Sequence, residues 1–252
     1  MMDLDLDDRI ALVTGASAGI GRGVAAALAG SGARIVAAGR NSTRLAELVE
    51  QLPGGLSRHR MVTADLSTAA GVDATIAAAK DMPTVDIIVN NAGQSVPAPI
   101  GADDGTWRDA FAVQFHAPRL LTEALLPRMQ SQQFGRIVLI GGTLEPGDVP
   151  NASTAAKAAL VVWAKALANA VAREGITVNT VAPGRVASEQ IETVLHPDPV
   201  ERAAFIAARI PAARFGEPDE IGQLIAFLAS PHASYVTGSL IPFDGGMRRY
   251  AF

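Results

Sequence analysis

The chain has 252 residues, of which 49% are hydrophobic and 18% charged, with a formal net charge of −4 at pH 7. This length and composition describe a globular chain with room for a sizeable core and exclude a disordered or fibrous one. The acidic balance argues against a nucleic-acid partner, and the absence of cysteine excludes disulfides, thiolate metal sites and a cysteine nucleophile.

Residues 1–8 are acidic and lack the basic start and apolar stretch of a secretion signal. No uncharged apolar run approaches the ~18 residues that span a bilayer. The expectation is a cytoplasmic protein with no membrane partner. From there, short apolar runs alternate with longer segments of helical spacing. Strands are predicted at 9–14, 34–39, 59–64, 85–89, 135–141, 176–182 and 238–242. Helices are predicted near 18–30, 43–51, 68–80, 103–128, 153–174, 200–209 and 217–229. This alternation predicts right-handed βαβ units, hence an α/β fold of Rossmann type: a doubly wound parallel sheet of about seven strands. No polar linker or repeat divides the chain, so residues 1–252 read as a single domain.

Two segments break the pattern. Residues 155–172 are apolar on nearly every face apart from Lys157, Lys165 and Asn169. A helix of that kind is expected to bury more than one side, here against the sheet and against another subunit. Residues 183–200 have weak periodicity and three prolines and read as a mobile loop, a candidate lid over a substrate site.

The first strand ends in Thr14-Gly15-Ala16-Ser17-Ala18-Gly19-Ile20-Gly21, and an Ala-rich helix follows. Residues without side chains allow the sharp turn, the close approach of backbone to a pyrophosphate, and tight helix–strand packing; the helix N-terminus then faces the phosphates. The second strand ends in Gly39-Arg40-Asn41, with no Asp or Glu at 37–41 to accept from a ribose 2′-hydroxyl. Arg40 suits a 2′-phosphate instead, with Ser17 adding a hydroxyl, so NADP(H) is favoured over NAD(H).

With these residues the chain resembles the short-chain dehydrogenase/reductase family. The resemblance continues through Asp65-Leu66 after the third strand, Asn90-Asn91-Ala92-Gly93 after the fourth, and Pro183-Gly184 after the sixth. The tail, with Arg214-Phe215-Gly216-Glu217-Pro218 and Asp244-Gly245-Gly246, is similar to the 3-oxoacyl-carrier-protein reductase branch. The motifs span roughly residues 7–247 in the family's order. The resemblance implies a cofactor site of Gly15, Ser17, Gly19, Ile20, Gly21, Arg40, Asp65, Leu66, Asn91, Ala92, Gly93, Lys157, Pro183, Gly184, Val186 and Ser188. It implies hydride transfer between nicotinamide and a small carbonyl or alcohol, and a homo-oligomer, tetramer or dimer.

The same resemblance exposes a gap. Reduction of a carbonyl places negative charge on oxygen, which needs a proton donor and hydrogen-bonding partners. The family provides a Tyr, a Lys four residues later, a Ser about a dozen residues earlier and an Asn on the preceding helix. Here Ser153 stands at the Tyr position before Lys157, Gly142 at the Ser position with Thr143 next to it, and Gln114 at the Asn position. The chain has two tyrosines, both beyond the predicted catalytic helix, at 235 and 250. The catalytic set is therefore read as Lys157, Ser153, Thr143 and Gln114, with no metal. Two positions turn about 200° around a helix, which points His116 away from the Gln114 face, but Pro118 would kink that helix and leaves the geometry open. Glu145 and Asp148 read as solvated loop acids, and Trp163 as packing. Three functions fit: an oxidoreductase with an atypical site, a cofactor-binding homologue without turnover (scaffold, sensor or partner subunit), and a reductase of altered chemistry acting on a substrate such as an imine. An enoyl reductase is disfavoured, since its Tyr too would have to precede Lys157.

Overall fold

The computed structural model describes residues 3–142, 144, 149–189 and 191–249, the side chains of Glu192 and Val194 excepted. Seven parallel strands form one sheet in the order β3-β2-β1-β4-β5-β6-β7: β1 (Ile10–Thr14), β2 (Arg34–Gly39), β3 (Arg60–Thr63), β4 (Ile87–Asn90), β5 (Gly135–Ile140), β6 (Ile176–Pro183) and β7 (Leu240–Phe243). The predicted fold class and every predicted strand are present. β1, β4, β5 and β6 are buried along their whole length, as a sheet covered on both faces requires.

The main helices are α1 (Gly19–Gly30), α2 (Ser42–Gln51), α3 (Gly55–Arg58), α4 (Ala69–Lys80), α5 (Asp104–Phe111), α6 (Ala117–Gln132), α7 (Ala152–Val171), α8 (Pro199–Arg209) and α9 (Pro218–Ala229). One core layer packs α1 and α9 on one face of the sheet; the other packs α4, α6 and α7 on the opposite face. Helices α1 and α9 cross where side chains are missing: a Cβ on Gly23 would lie 2.4 Å from the Pro218 carbonyl oxygen.

Two expectations change. The helix predicted over 103–128 is α5 and α6 joined by a π-helical turn at Ala112–His116. Pro118 has no N–H to return to Gln114 and its ring crowds that carbonyl, and the widened turn relieves both. The segment 183–200 is not wholly irregular: Ile191–Leu195 form a second π-helical turn. Helix α7 buries a single stripe within this chain (Ser153, Ala156, Leu160, Ala164, Ala168 and Val171) and leaves Val162 72% exposed. Its apolar composition comes largely from alanines, whose outward face leaves little for one chain to bury. With its 3-10 extension, α7 covers Ala152–Glu174 at mean hydropathy 1.3 and passes the length and hydropathy test for a membrane span. Its buried stripe packs on β6, with Lys157 bonded inward.

Candidate active site

The crevice of a doubly wound sheet opens at the carboxyl ends of its strands where the order reverses, here between β1 and β4. Gly15 turns the chain out of β1 with φ +64°, in the left-handed region that favours glycine. A Cβ on Gly21 would sit 2.2 Å from the Gly15 carbonyl oxygen, and one on Gly15 would sit 2.8 Å from Asn91 Nδ2. The turn is therefore drawn tight against both α1 and the end of β4.

Asn91 makes that shape. Its Nδ2 donates to the carbonyl oxygens of Thr14 and Gly15 at 3.0 and 3.2 Å. Its N–H, and that of Ala92, donate to Thr14 Oγ1. The N-cap of α1, Ala18, provides no side-chain acceptor, and no acid stands in the first turn. By contrast α2, α4, α5, α7 and α8 have side-chain caps at Asn41, Thr68, Asp103, Asn151 and Asp198. The first N–H groups of α1 are thus left for an anion. A pyrophosphate fits this cradle, whose turn a Cβ at Gly15 or Gly21 would force apart by colliding with Asn91 or the Gly15 carbonyl.

At the end of β2, Gly39 brings Ser17 close, with Ser17 Oγ 3.4 Å from where a Gly39 Cβ would be. Arg40 is exposed there and enters no ion pair among the described residues. Asp65 takes the N–H and hydroxyl of Ser67. These bonds hold its carboxyl below the usual range, with the charge of Arg40 adding to them. Leu66 is buried in the core with Val36, Ala38 and Val72, so its side chain is packing and only its backbone is available to a ligand. Ile20 likewise packs on the core.

On the far wall, Gly184 N–H donates to the Phe243 carbonyl at 2.9 Å. Val186 pairs with Gly216. The loop after β6 then returns over α1: Ser188 Cβ lies 3.4 Å from a Cβ placed on Gly19, and Glu189 pairs with Arg44 of α2 at 2.7 Å. The structure therefore brings Gly15, Gly19, Gly21, Asn91, Ala92, Ser17, Arg40 and Ser188 to the mouth of one crevice.

The catalytic set is only partly assembled as expected. Lys157 Nζ donates to the Gly141 carbonyl oxygen at 2.6 Å, at the carboxyl end of β5, and burial pushes its pKa from 10.5 to about 8. Ser153, 4% exposed, turns its hydroxyl to the Gln94 carbonyl oxygen at 2.8 Å and accepts from Gln114 Nε2. Gln114 Nε2 also donates to the Gln94 carbonyl at 3.0 Å. Ser153 and Gln114 thus close a network with the loop after β4 rather than facing a reacting carbonyl. Gln114 is 3% exposed and its Oε1 has no partner, beside Gly93.

Thr143, Glu145 and Asp148 lie outside the described residues, as does Tyr250. Tyr235 is fully exposed and precedes β7, at the opposite edge of the sheet from the crevice. His116 is exposed while Gln114 is buried, in keeping with opposed faces. Sequence reasoning missed the role of Gln94, which acts through its carbonyl and so leaves no trace in residue type. It also missed Arg185, whose signal was a basic residue directly after the Pro183-Gly184 turn.

A family profile described as "Enoyl-(Acyl carrier protein) reductase" matches residues 15–248. The chain is 34% identical over 249 residues to 3-oxoacyl-[acyl-carrier-protein] reductase FabG of Escherichia coli K12, covering 97% of this chain and 99% of that one. The chain belongs to the short-chain dehydrogenase/reductase family. Within this family it is also 33% identical over 246 residues to 2-dehydro-3-deoxy-D-gluconate 5-dehydrogenase of Pseudoalteromonas atlantica, covering 96% of each chain. L-sorbose reductase of Gluconobacter frateurii, solved with NADPH and L-sorbose, superposes with TM-score 0.93 at 30% identity, covering 99% of this chain and 100% of that one. Family membership accounts for the seven-stranded parallel sheet and the crevice at its carboxyl edge.

Proposed function

We propose that this chain is an NADP(H)-dependent oxidoreductase acting on a small carbonyl or alcohol, in the manner of a 3-oxoacyl-thioester reductase, through a site altered at the Tyr, Ser and Asn positions. The observation that carries the reading is Lys157 Nζ, fixed on the Gly141 carbonyl at the crevice that holds the phosphate cradle. Bound there, NADP(H) supplies or accepts the hydride. The glycine turn and the α1 N-terminus hold the pyrophosphate, and Arg40 with Ser17 takes the 2′-phosphate. The NADPH complex of L-sorbose reductase supports the same cofactor preference.

For the proton, Lys157 Nζ is the charged donor that the described residues place at the site. Its pKa of about 8 keeps it an ammonium at neutral pH, yet makes it a stronger acid than a free lysine. Neither neighbour covers it: Gly142 has no side chain, and the Ser153 hydroxyl is committed to Gln94. A substrate oxygen beside Lys157 can take its proton directly, the ammonium then being restored from solvent. Ser153 and Gln114 position α7 against the loop after β4. The exposed outer stripe of α7 around Val162 supports a homo-oligomer, dimer or tetramer.

The second reading, a cofactor-binding homologue without turnover, is favoured by one observation: the hydroxyl at the Tyr position is engaged away from the crevice. The two readings separate when the protein is titrated with NADPH and NADH by fluorescence, then assayed on β-ketoacyl thioesters, α-diketones, quinones and imines. Turnover abolished in Lys157→Ala supports the oxidoreductase; NADPH binding without turnover on any substrate supports the second reading. A Ser153→Tyr variant that gains ketone reduction shows that the pocket kept the family's geometry.

A further inference from the structure

One cluster on the carboxyl edge of the sheet takes no part in this chemistry. Arg185 directly follows the Pro183-Gly184 turn at the end of β6. Its Nε donates to His196 Nε2 at 3.2 Å, and its guanidinium carbon lies 5.4 Å from the Phe205 ring of α8. The His196 ring is 4.3 Å from Phe205 and 5.9 Å from Phe215, tilted on both. Accepting at Nε2 requires the neutral imidazole with its proton on Nδ1. Burial, then the charges of Arg185 and Arg202, hold the His196 pKa below its ordinary value against the smaller pull of Glu201.

Arg185 is thus gripped on its Nε side by neutral and aromatic groups. Its Nη1 and Nη2 have no acceptor, and no carboxylate lies within ion-pair distance, among the described residues. The side chain is half-buried, and burial lowers its pKa. A partly desolvated guanidinium without an anion is costly, and this chain shows the ordinary remedy elsewhere. Arg136 at the opposite edge donates to the carbonyl oxygens of Ser230, Gly135 and Gly175. At Arg185 the donors are left over, on the edge where parallel α/β sheets bind their ligands.

We propose that Arg185 anchors a carboxylate of the substrate, so that the enzyme acts on a small hydroxy- or oxo-acid. With Nε committed to His196, the Nη1/Nη2 edge is the fork that meets a carboxylate in bidentate fashion. Lys157 then takes the reacting oxygen and Arg185 the acid end. The substrate class rests on the oxidoreductase reading; the carboxylate site itself does not. The likeness to a dehydrogenase named for a sugar acid is in keeping with it.

The test is equilibrium binding by calorimetry to the full chain, with and without saturating NADP+. Each acid is compared with its neutral counterpart: D-gluconate with D-sorbitol, and 3-hydroxybutyrate with 1,3-butanediol. Wild type is expected to bind at least one acid about 10-fold or more tightly than its partner, the range of a charge-assisted pair. Arg185→Leu erases that preference, Arg185→Lys retains part of it, and NADPH affinity stays unchanged in both. Arg185→Gln replaces the Leu variant if that chain does not fold. The proposal is overturned if wild type prefers neither acid, or if the preference survives in the Leu or Gln variant. Acid preference without hydride transfer on any substrate keeps the anchor and sinks the oxidoreductase. Turnover of neutral carbonyls, with no acid preference and a KM unmoved by Arg185→Leu, does the reverse.

Discussion

The two edges of the sheet treat their polar groups in opposite ways. At the amino-terminal edge, Asp86 is buried and takes Arg9, the Ile10 N–H and the Thr84 hydroxyl. Phe134 lies between two guanidinium groups, those of Arg9 and Arg136. His59, fully buried, accepts the Ile35 N–H on Nδ1 and meets the Pro53 carbonyl on Nε2. At the carboxyl edge, among the described residues, the α1 N-terminus has no side-chain cap, Gln114 Oε1 has no partner, Arg40 stands in no ion pair and Arg185 leaves Nη1 and Nη2 without an acceptor. Around Asp86 and His59 the buried polar groups are satisfied, although Glu174 Oε2, just before β6, has no partner among the described residues; at the carboxyl edge donors and acceptors are left over where a ligand is to arrive.

This contrast can be broken by exchange of properties: variants at the carboxyl edge should change binding and rate, and variants at the amino edge should change stability. The largest expected effect is Lys157→Ala, which should lower the rate of carbonyl reduction about 10²–10⁴-fold with thermal unfolding little changed, read by NADPH oxidation beside calorimetry. In wild type the same rate should fall as pH rises through about 8, where the donor loses its proton. Arg136→Leu should cost about 2–4 kcal/mol in urea unfolding, because three carbonyls, those of Ser230 and Gly135 buried, lose their donor, while NADPH affinity stays the same. Arg40→Ala should weaken NADPH about 10–100-fold, from the 1.5–3 kcal/mol of hydrogen bonds to a charged group, and leave NADH unmoved. The smallest is His59. Its folded pKa lies below the ordinary 6.5 because burial disfavours the charged ring. The unfolded chain therefore binds the proton first, and stability should be full above about 6.5 and decline as pH falls below it. In His59→Gln, urea midpoints should lose that acid slope.

The amino-terminal two-thirds of the site was legible because each requirement leaves a residue type behind. A turn at φ +64° and contacts of 2.2–2.8 Å for an added Cβ call for glycine, and glycine is what stands there. Strand boundaries were legible for a similar reason: buried parallel strands read as continuous apolar runs. The catalytic end was less so. The resemblance points to Ser153 and Gln114 as catalytic, yet their hydrogen bonds converge on a backbone carbonyl that no residue identity announces. The α7 helix shows a second limit, since composition alone does not say which alanines face out. The π-helical turn before α6 could have been anticipated from Pro118, but what packs against it, α7 and the loop after β4, could not.

The fastening between Glu189 and Arg44 has a kinetic side. Both side chains are well exposed, at 62% and 43%, so ions in solution compete with the pair and screen it within about 10 Å at 0.1 M salt. The segment that runs from β6 across the start of α1 is pinned at its root by the Ala187 and Gly216 backbone bonds and by buried Val186 and Ile191, so only its contact with α2 is salt-sensitive. If that contact limits nucleotide exchange, stopped-flow release of NADPH should quicken as ionic strength is raised.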